Sequence, residues 1–190
     1  MLAGGRSERF GDVDKLTVRM GARTLLERSV AAASAVAADV VVVLPPGEPT
    51  IEVPSPARVA HDPTEGEGPL AGVHAGLLAV VRSDVAVVVG GDMPELQPEV
   101  LALMVRRLAD EPAVEAVALD DGTGPRPLPI VLRTRPAAHA AHALLHAGRR
   151  RLRDLLGSLR ASVVDEAAWT ALDPGRRSLR DIDEPDDLNR

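Results

Sequence analysis

The chain has 190 residues, a length that suits one domain of ordinary size, with a formal net charge of −6 and a sequence pI near 5.4. That acidic balance argues against nonspecific nucleic-acid binding, and Trp169 and Phe10 are the only aromatic residues, too few to stack single-stranded bases. No cysteine is present, which excludes disulfides and thiolate metal sites. No apolar run approaches the ~20 residues that span a bilayer, and the polar, glycine-rich start has no signal-peptide core. The expectation is a cytoplasmic protein with neither nucleic-acid nor membrane partners.

The chain opens Met1-Leu2-Ala3-Gly4-Gly5-Arg6-Ser7-Glu8-Arg9-Phe10-Gly11-Asp12-Val13-Asp14-Lys15. Glycine admits positive φ and close approach of a ligand to the main chain. Successive N–H groups in such a loop form an anion-binding concavity. Arg6, Arg9 and Lys15 add positive charge, so the loop reads as a cradle for phosphates. The plainer account is an idle glycine-rich tail.

Residues 24–37 predict a helix, capped by Thr24 with Glu27 three residues on. The β-branched run 39–44, stopped by Pro45-Pro46, suits a strand buried on both faces. A proline-rich loop follows over 46–57, then a short strand over 58–61. A flexible acidic loop over 62–72 leads into a helix ending near Arg82. A second valine strand over 84–89 ends at Gly90-Gly91-Asp92-Met93-Pro94. Residues 98–110 predict a helix with proline in its first turn, and 114–119 a strand. Past Arg126-Pro127-Leu128-Pro129 comes an apolar run over 130–132, then helices over 136–147 and 150–159 and a short strand over 162–164. The segment Asp181-Ile182-Asp183 alternates like a strand, which puts both carboxylates on one side, and leads into a helix start at Pro185. This alternation of strands and helices predicts an α/β fold with a parallel sheet and helices on both faces, in one domain over 1–190. Ligands in such sheets bind beyond the carboxyl ends of the strands, where the Gly4-Gly5 loop, the Asp62 loop and the Gly90–Gly91–Asp92 turn all fall.

Asp92 is the strongest single candidate. A carboxylate there faces the same crevice as the phosphate loop, and Mg²⁺ takes one or two carboxylates together with substrate phosphates and water. A turn-capping role competes with this. Lys15 is a compact charge suited to a moving phosphate, although most lysines are simply solvated. His139, His142 and His146 have helical spacing in an alanine-rich segment without a general-base Glu, and read as a surface helix. The run Arg149-Arg150-Arg151 with Arg153 reads as a solvated face or an anion site. No serine sits in a nucleophile elbow.

Leu2-Ala3-Gly4-Gly5, Arg9-Phe10-Gly11 and Asp14-Lys15 together resemble the signature of nucleotidyltransferases of the glycosyltransferase-A-like fold, above all the molybdenum cofactor guanylyltransferases and their cytidylyltransferase relatives. The likeness continues at Asp62, at Gly68-Pro69-Leu70-Ala71-Gly72, at Asp92-Met93-Pro94, and at Asp181-Ile182-Asp183-Glu184-Pro185. It implies a three-layer, Rossmann-like, mostly parallel sheet whose first strand enters the Gly4-Gly5 loop. Only Met1 and Leu2 precede Ala3, so the expectation is that this strand is truncated. The resemblance further implies that Asp92 and Asp183 hold Mg²⁺ and that Lys15, Arg9 and Asp92 serve catalysis. Leu2, Ala3, Gly4, Gly5, Arg6, Lys15, Asp62, Gly68, Gly72 and Asp92 would bind the nucleotide.

The implied reaction moves a nucleoside monophosphate from a triphosphate to a phosphate-bearing acceptor such as molybdopterin, releasing pyrophosphate. GTP is favoured as donor by the resemblance of Arg126-Pro127-Leu128-Pro129-Ile130 to the guanylyltransferase stretch. CTP is favoured by aspartate at 181 and 183, and Leu44-Pro45-Pro46 stands where guanylyltransferases commonly carry asparagine. A noncatalytic nucleotide-binding protein is the alternative from another class. The expected state is a monomer or weak homo-oligomer.

Overall fold

The computed structural model describes residues 1–4, 10, 14–47, 51–63 and 67–189. In chain order it has a small hairpin, β1 (Arg19–Met20) and β2 (Arg23–Thr24), then α1 (Leu25–Ser34), β3 (Val41–Leu44), β4 (Arg58–His61), α2 (Pro69–Ala79), β5 (Val85–Val88), α3 (Pro98–Asp110), β6 (Ala116–Asp120), β7 (Pro125–Arg133), α4 (Thr134–His146), α5 (Leu152–Ser158), β8 (Ala161–Val164) and α6 (Glu166–Thr170).

The valine runs build the middle layer. β3 is buried at every residue and pairs in parallel with β4, Val41 opposite Arg58 and Leu44 opposite His61. A second ladder has the order β5-β7-β6-β8; β7 runs antiparallel to both neighbours and β6 parallel to β8. Leu2 joins the two ladders through parallel bridges to Val43 and Gly90. The spatial order is thus β4-β3-Leu2-β5-β7-β6-β8, with β7 alone reversed among the described strands of this layer. This is the mostly parallel α/β sheet expected. Where a first strand is expected, Met1–Ala3 hold the carboxyl end of its position: Leu2 N–H donates to Val89 O and Ala3 N–H to Val43 O, each at 2.9 Å.

Period-two alternation sorts the sheet's side chains onto two faces. Ala116, Ala118, Ile130 and Leu132 face α2, α4 and α5 through Leu70, Val73, Leu77, Ala137, Ala141 and Leu155. Val117, Leu119 and Val131 face Val100, Leu101, Met104 and Leu108 of α3, with Trp169 of α6. α1 packs Leu26 and Val30 against Val42 and Leu44. Its start is the expected capping box: Glu27 N–H donates to the Thr24 hydroxyl at 3.1 Å, and Thr24 N–H donates to the Glu27 carboxylate at 2.6 Å.

Most element boundaries differ from the sequence reading by one to three residues, α1 for instance ending at Ser34 rather than at 37, and three of the differences have a visible reason. α2 stops at Ala79 rather than near Arg82, because the chain turns there, Ser83 N–H donating to Val80 O at 2.8 Å, to aim β5 into the sheet. α4 starts at Thr134, ahead of Pro136, which falls in the first turn where a missing N–H costs nothing. β7 extends back through Pro129 and Pro127 to Pro125. Its pairing with β5 begins only at Ile130, so the prolines lie where one edge of β7 has no β5 partner, the setting in which a strand tolerates them.

Trp169 is fully buried and its Nε1–H donates to Asp120 O at 2.7 Å, tying α6 to the end of β6. Trp169→Phe keeps an aromatic ring but removes the donor and part of the buried volume. It should lower the urea midpoint by an amount equivalent to about 1–3 kcal/mol, with an unchanged denaturant slope, as followed by far-UV circular dichroism.

Candidate active site

The turn after β5 is shaped by two glycines with separate reasons for lacking a side chain. A Cβ on Gly90 would lie 2.3 Å from Asp92 Oδ1, so glycine is what lets the carboxylate fold back over the strand end. A Cβ on Gly91 would lie 3.1 Å from Leu2 O and 3.3 Å from Leu16 Cδ2. Gly91 N–H instead donates to Leu2 O at 2.7 Å, and the buried Ser29 hydroxyl of α1 donates to Gly91 O at 3.0 Å. The turn carrying Asp92 is therefore held by the Leu2 main chain and by α1.

Lys15 opens a short 3-10 turn over Lys15–Thr17, capped by Asp14, whose carboxylate accepts from Leu16 N–H at 2.9 Å. Leu16 is buried against Gly91, which fixes the register of Lys15. The Lys15 ammonium donates to Asp92 Oδ2 at 2.6 Å, to Ile182 O at 3.2 Å and to Asp183 Oδ1 at 3.4 Å. The side chains of Lys15 and Asp92 are 17% and 25% exposed and that of Asp183 is 55% exposed, so the pair is mostly enclosed while Asp183 faces solvent.

Residues 181–183 are not a strand, contrary to the alternation argument. They cross over the Asp92 turn as an irregular segment. Ile182 is fully buried and its N–H donates to Asp92 O at 2.9 Å. Asp187 then accepts from Asp183 and Glu184 N–H at 3.1 and 2.9 Å, closing the turn into the 3-10 segment Pro185–Asn189. Burial of Ile182 produces the same apolar-in, acid-out pattern that a strand would.

The electrostatics follow from this convergence. Burial alone would lower the Lys15 pKa, but the hydrogen bond and charge of Asp92, with those of Asp183, outweigh it and raise the ammonium above its usual value. Asp181 is pushed above the ordinary carboxylate range, first by desolvation and then by the charges of Asp183 and Asp92.

The other sequence candidates surround this centre unevenly. Leu2, Ala3 and Gly4 line the same small hollow, about 20 Å³, as Asp14, Lys15, Leu16 and Asp92. Asp62 follows β4, its N–H donating to Leu44 O at 2.9 Å. A Cβ on Gly72 would meet Leu2 Cδ2 at 3.2 Å and Asp62 Oδ2 at 3.9 Å, so Asp62 lies at the α2 side of the Leu2 strand end. Gly68 has φ 81° at the start of α2, and its missing Cβ leaves room for Arg150, whose Cβ and carbonyl would be 3.2 Å away. Gly5, Arg6 and Arg9 lie outside the described residues.

The 149–153 arginine run is partly committed to structure. Arg149 makes a two-pronged pair with Asp154, and Arg150 bonds Glu67 at 2.5 Å beside Gly68. His142 of α4 sits 5.6 Å from His74 and 4.5 Å from His146, ring centre to ring centre. Burial, then His142, lowers the His74 pKa. Among the described residues no group of three or more His, Cys, Asp or Glu is arranged to hold a metal, so any ion here would rest on one or two carboxylates.

Sequence reasoning missed the Ile182 carbonyl, the Asp14 cap, Leu16 and Ser29. Backbone and packing groups leave no signature by residue type. Lys15 does leave one beyond its motif: it is the only lysine in the chain.

A family model described as the MobA-like NTP transferase domain matches residues 1–163. The chain belongs to the MobA-like NTP transferase family. It is a nucleotidyltransferase. It is 35% identical to a Chloroflexus aggregans protein named probable molybdenum cofactor guanylyltransferase, covering 99% of this chain and 89% of that protein. It is 34% identical to a Natronomonas pharaonis protein of the same name, covering 100% and 94%. A solved structure of molybdopterin-guanine dinucleotide biosynthesis protein A from Archaeoglobus fulgidus superposes with a TM-score of 0.76 at 24% identity, over 100% of this chain and 93% of that one. At that identity the likeness establishes the shared fold. Among the described residues of this MobA-like chain no helix is long and apolar enough to cross a membrane.

The raised Asp181 pKa sets a sign. In the folded state its ionisation is penalised, so the folded protein holds this proton to higher pH than the unfolded chain does, and stability falls as pH rises through that window. Asp181→Asn should therefore raise the thermal midpoint at pH 7, and the gain should vanish below about pH 3, where both states are protonated. Differential scanning calorimetry at the two pH values reads the difference.

Proposed function

We propose that this nucleotidyltransferase moves a guanylyl group from GTP to the phosphate of a molybdopterin-type acceptor and releases pyrophosphate, with Mg²⁺ as its metal, and that residues 1–190 work as one domain. The observation that carries the reading is the shared ammonium: Lys15 sits between Asp92 and Asp183, at 2.6 and 3.4 Å, beside the Leu2–Gly4 main chain. Relatives matching nearly the whole chain and named for guanylyl transfer support GTP over CTP.

The residues fit a magnesium ion. Two carboxylates already converge on one cation, and hard oxygen donors match an ion that keeps its waters and takes phosphate oxygens. Asp92 and Asp183 would hold it, and when bound it supplies positive charge along the triphosphate. The rest belongs to the chain. Lys15, kept protonated through the neutral range by its carboxylates, is a fixed cation for charge that builds as the α–β bond breaks. The turn formed by Gly90 and Gly91 holds Asp92 against the sheet, so little reorganisation is needed. Leu2, Ala3 and Gly4 offer close main-chain approach, and Asp62 is placed for a ribose hydroxyl or a base edge. Gly5, Arg6 and Arg9 complete the phosphate loop in this reading. The acceptor's own phosphate is the nucleophile, so no side chain needs to form a covalent intermediate, and positioning with electrostatics carries the rate.

Pyrophosphate release with GTP, acceptor and magnesium tests this. Asp92→Asn and Lys15→Ala should each lower kcat by roughly 10²–10³-fold while leaving the circular dichroism spectrum intact. Lys15→Arg should recover only part of the loss, because a planar guanidinium does not replace a point charge. Equal turnover with CTP would overturn the guanylyl assignment, and unchanged turnover in Asp92→Asn would overturn the site.

A further inference from the structure

β7 runs against its neighbours, so its first residues stand at the edge of the sheet where β5 and β6 end, Pro125 pairing with Asp120. Arg126 stands there. Leu128, two residues on, and Leu179, two residues before Asp181, pack against the same core group as Val117 and Trp169. The segment that carries Asp181 and Asp183 therefore passes from the start of β7 to the Asp92 turn. Asp181 accordingly feels the charge of Arg126 as well as those of Asp183 and Asp92. The crevice has Lys15 and Asp92 at one end and Arg126 at the other.

Arg126 differs from the other arginines of this edge in what its guanidinium meets. Arg176 pairs with Glu166 at 2.9 Å and Arg180 with Glu95 at 2.8 Å. Arg126 Nη1 stands 3.5 Å from Asp121 Oδ2, too long for a strong bond. Asp121 is already committed, since its other oxygen accepts from the Thr123 N–H and hydroxyl at 2.8 and 2.6 Å. Arg126 Nε–H is buried and has no acceptor among the described residues, which leaves a donor's desolvation uncompensated. The side chain as a whole is 35% exposed, so it has room to turn outward. Turning to a phosphate would trade the unpaired N–H for a charge-assisted bond.

We propose that Arg126 recognises the acceptor: its planar fork takes two oxygens of the acceptor's phosphate and leaves the third free to attack. This rests on the guanylyl-transfer reading and adds to it the residue that selects the second substrate. Charge supplies the argument. The triphosphate already has its cations in Lys15 and in the metal that Asp92 and Asp183 would hold. The incoming phosphate is itself an anion and comes in beside Asp181, so it needs a positive partner of its own, set apart from Lys15. An arginine suits this better than a lysine, because two parallel N–H bonds fix the phosphate's orientation as well as its place. In the step itself the free oxygen forms its bond to the α-phosphorus as the bond from that phosphorus to the bridging oxygen breaks, and pyrophosphate leaves with the electron pair. Arg126 keeps its protons throughout and acts by positioning.

Pyrophosphate release measured against the concentration of each substrate tests this, with molybdopterin as acceptor. Arg126→Gln should raise the KM for the acceptor roughly 10–100-fold, the loss of a charge-assisted hydrogen bond. The KM for GTP, the GTP affinity read by calorimetry and kcat at saturating acceptor should stay within about twofold of the wild type, as for a lost binding contact to one substrate. Inorganic phosphate should compete with the acceptor in the wild type and compete more weakly in Arg126→Gln. Arg126→Lys should fall between the two, keeping the charge without the fork. An acceptor KM unchanged in Arg126→Gln overturns the proposal and leaves the guanylyl-transfer reading standing. A GTP KM raised as far as the acceptor's, or in its place, overturns it too, because Arg126 would then serve the triphosphate. No turnover by the wild type defeats the reading itself, and the proposal with it. Should circular dichroism show Arg126→Gln unfolded, Arg126→Lys decides by the same split between the two KM values.

Discussion

The main chain of Leu2 couples the two halves of the molecule. Its N–H reaches Val89 and its carbonyl takes the Gly91 N–H, while its neighbours Met1 and Ala3 bond Val43 on the other side. Through these few bonds the β3–β4 ladder is registered against the β5-β7-β6-β8 ladder. Because all of them fall near strand carboxyl ends, the Leu2–Gly4 main chain and the Asp92 turn are set side by side by backbone pairing, before any side chain is considered.

Onto that frame the chain brings three carboxylates and a lysine from distant parts of the sequence. Asp92 ends a buried strand, Lys15 starts a turn anchored by Leu16, and Asp181 and Asp183 flank the buried Ile182. Ile182 is the mechanical device: its side chain is sunk in the core, its N–H holds Asp92 O, and its carbonyl takes a Lys15 proton. Desolvation first, and then the charges of Asp183 and Asp92, hold the Asp181 carboxyl above its ordinary range, and the Lys15 ammonium bridges Asp92 and Asp183. A polyphosphate with its counter-ion is the chemistry such an arrangement suits, since it brings both signs of charge in fixed geometry.

Much of this was legible in the residues. The helix Pro98–Asp110 and the strand Arg58–His61 carry local signals, a first-turn proline for one and a preceding proline-rich loop for the other. Asp92 stood out because a glycine pair follows a valine-rich strand. Other features were not legible for physical reasons. The direction of β7 depends on which strand it meets. The two-residue strands of the hairpin and the five residues of α6 are too short to show a period. The segment 181–183 mimicked a strand because burying one isoleucine between two aspartates gives period two without any partner. The arginines at 149 and 150 looked like free charge, yet each has an acidic partner.

Lys15 being the only lysine makes the central claim directly measurable. Protein labelled with ¹⁵N at the lysine side chain gives one ammonium signal, which can be followed by nuclear magnetic resonance during titration with GTP and magnesium. Direct contact with the triphosphate should shift that signal saturably, with a midpoint matching the nucleotide affinity measured by calorimetry, and Asp92→Asn should alter both. Nucleotide binding seen by calorimetry with no movement of the lysine signal would contradict the account, because the ligand would then be bound away from the Lys15–Asp92 junction.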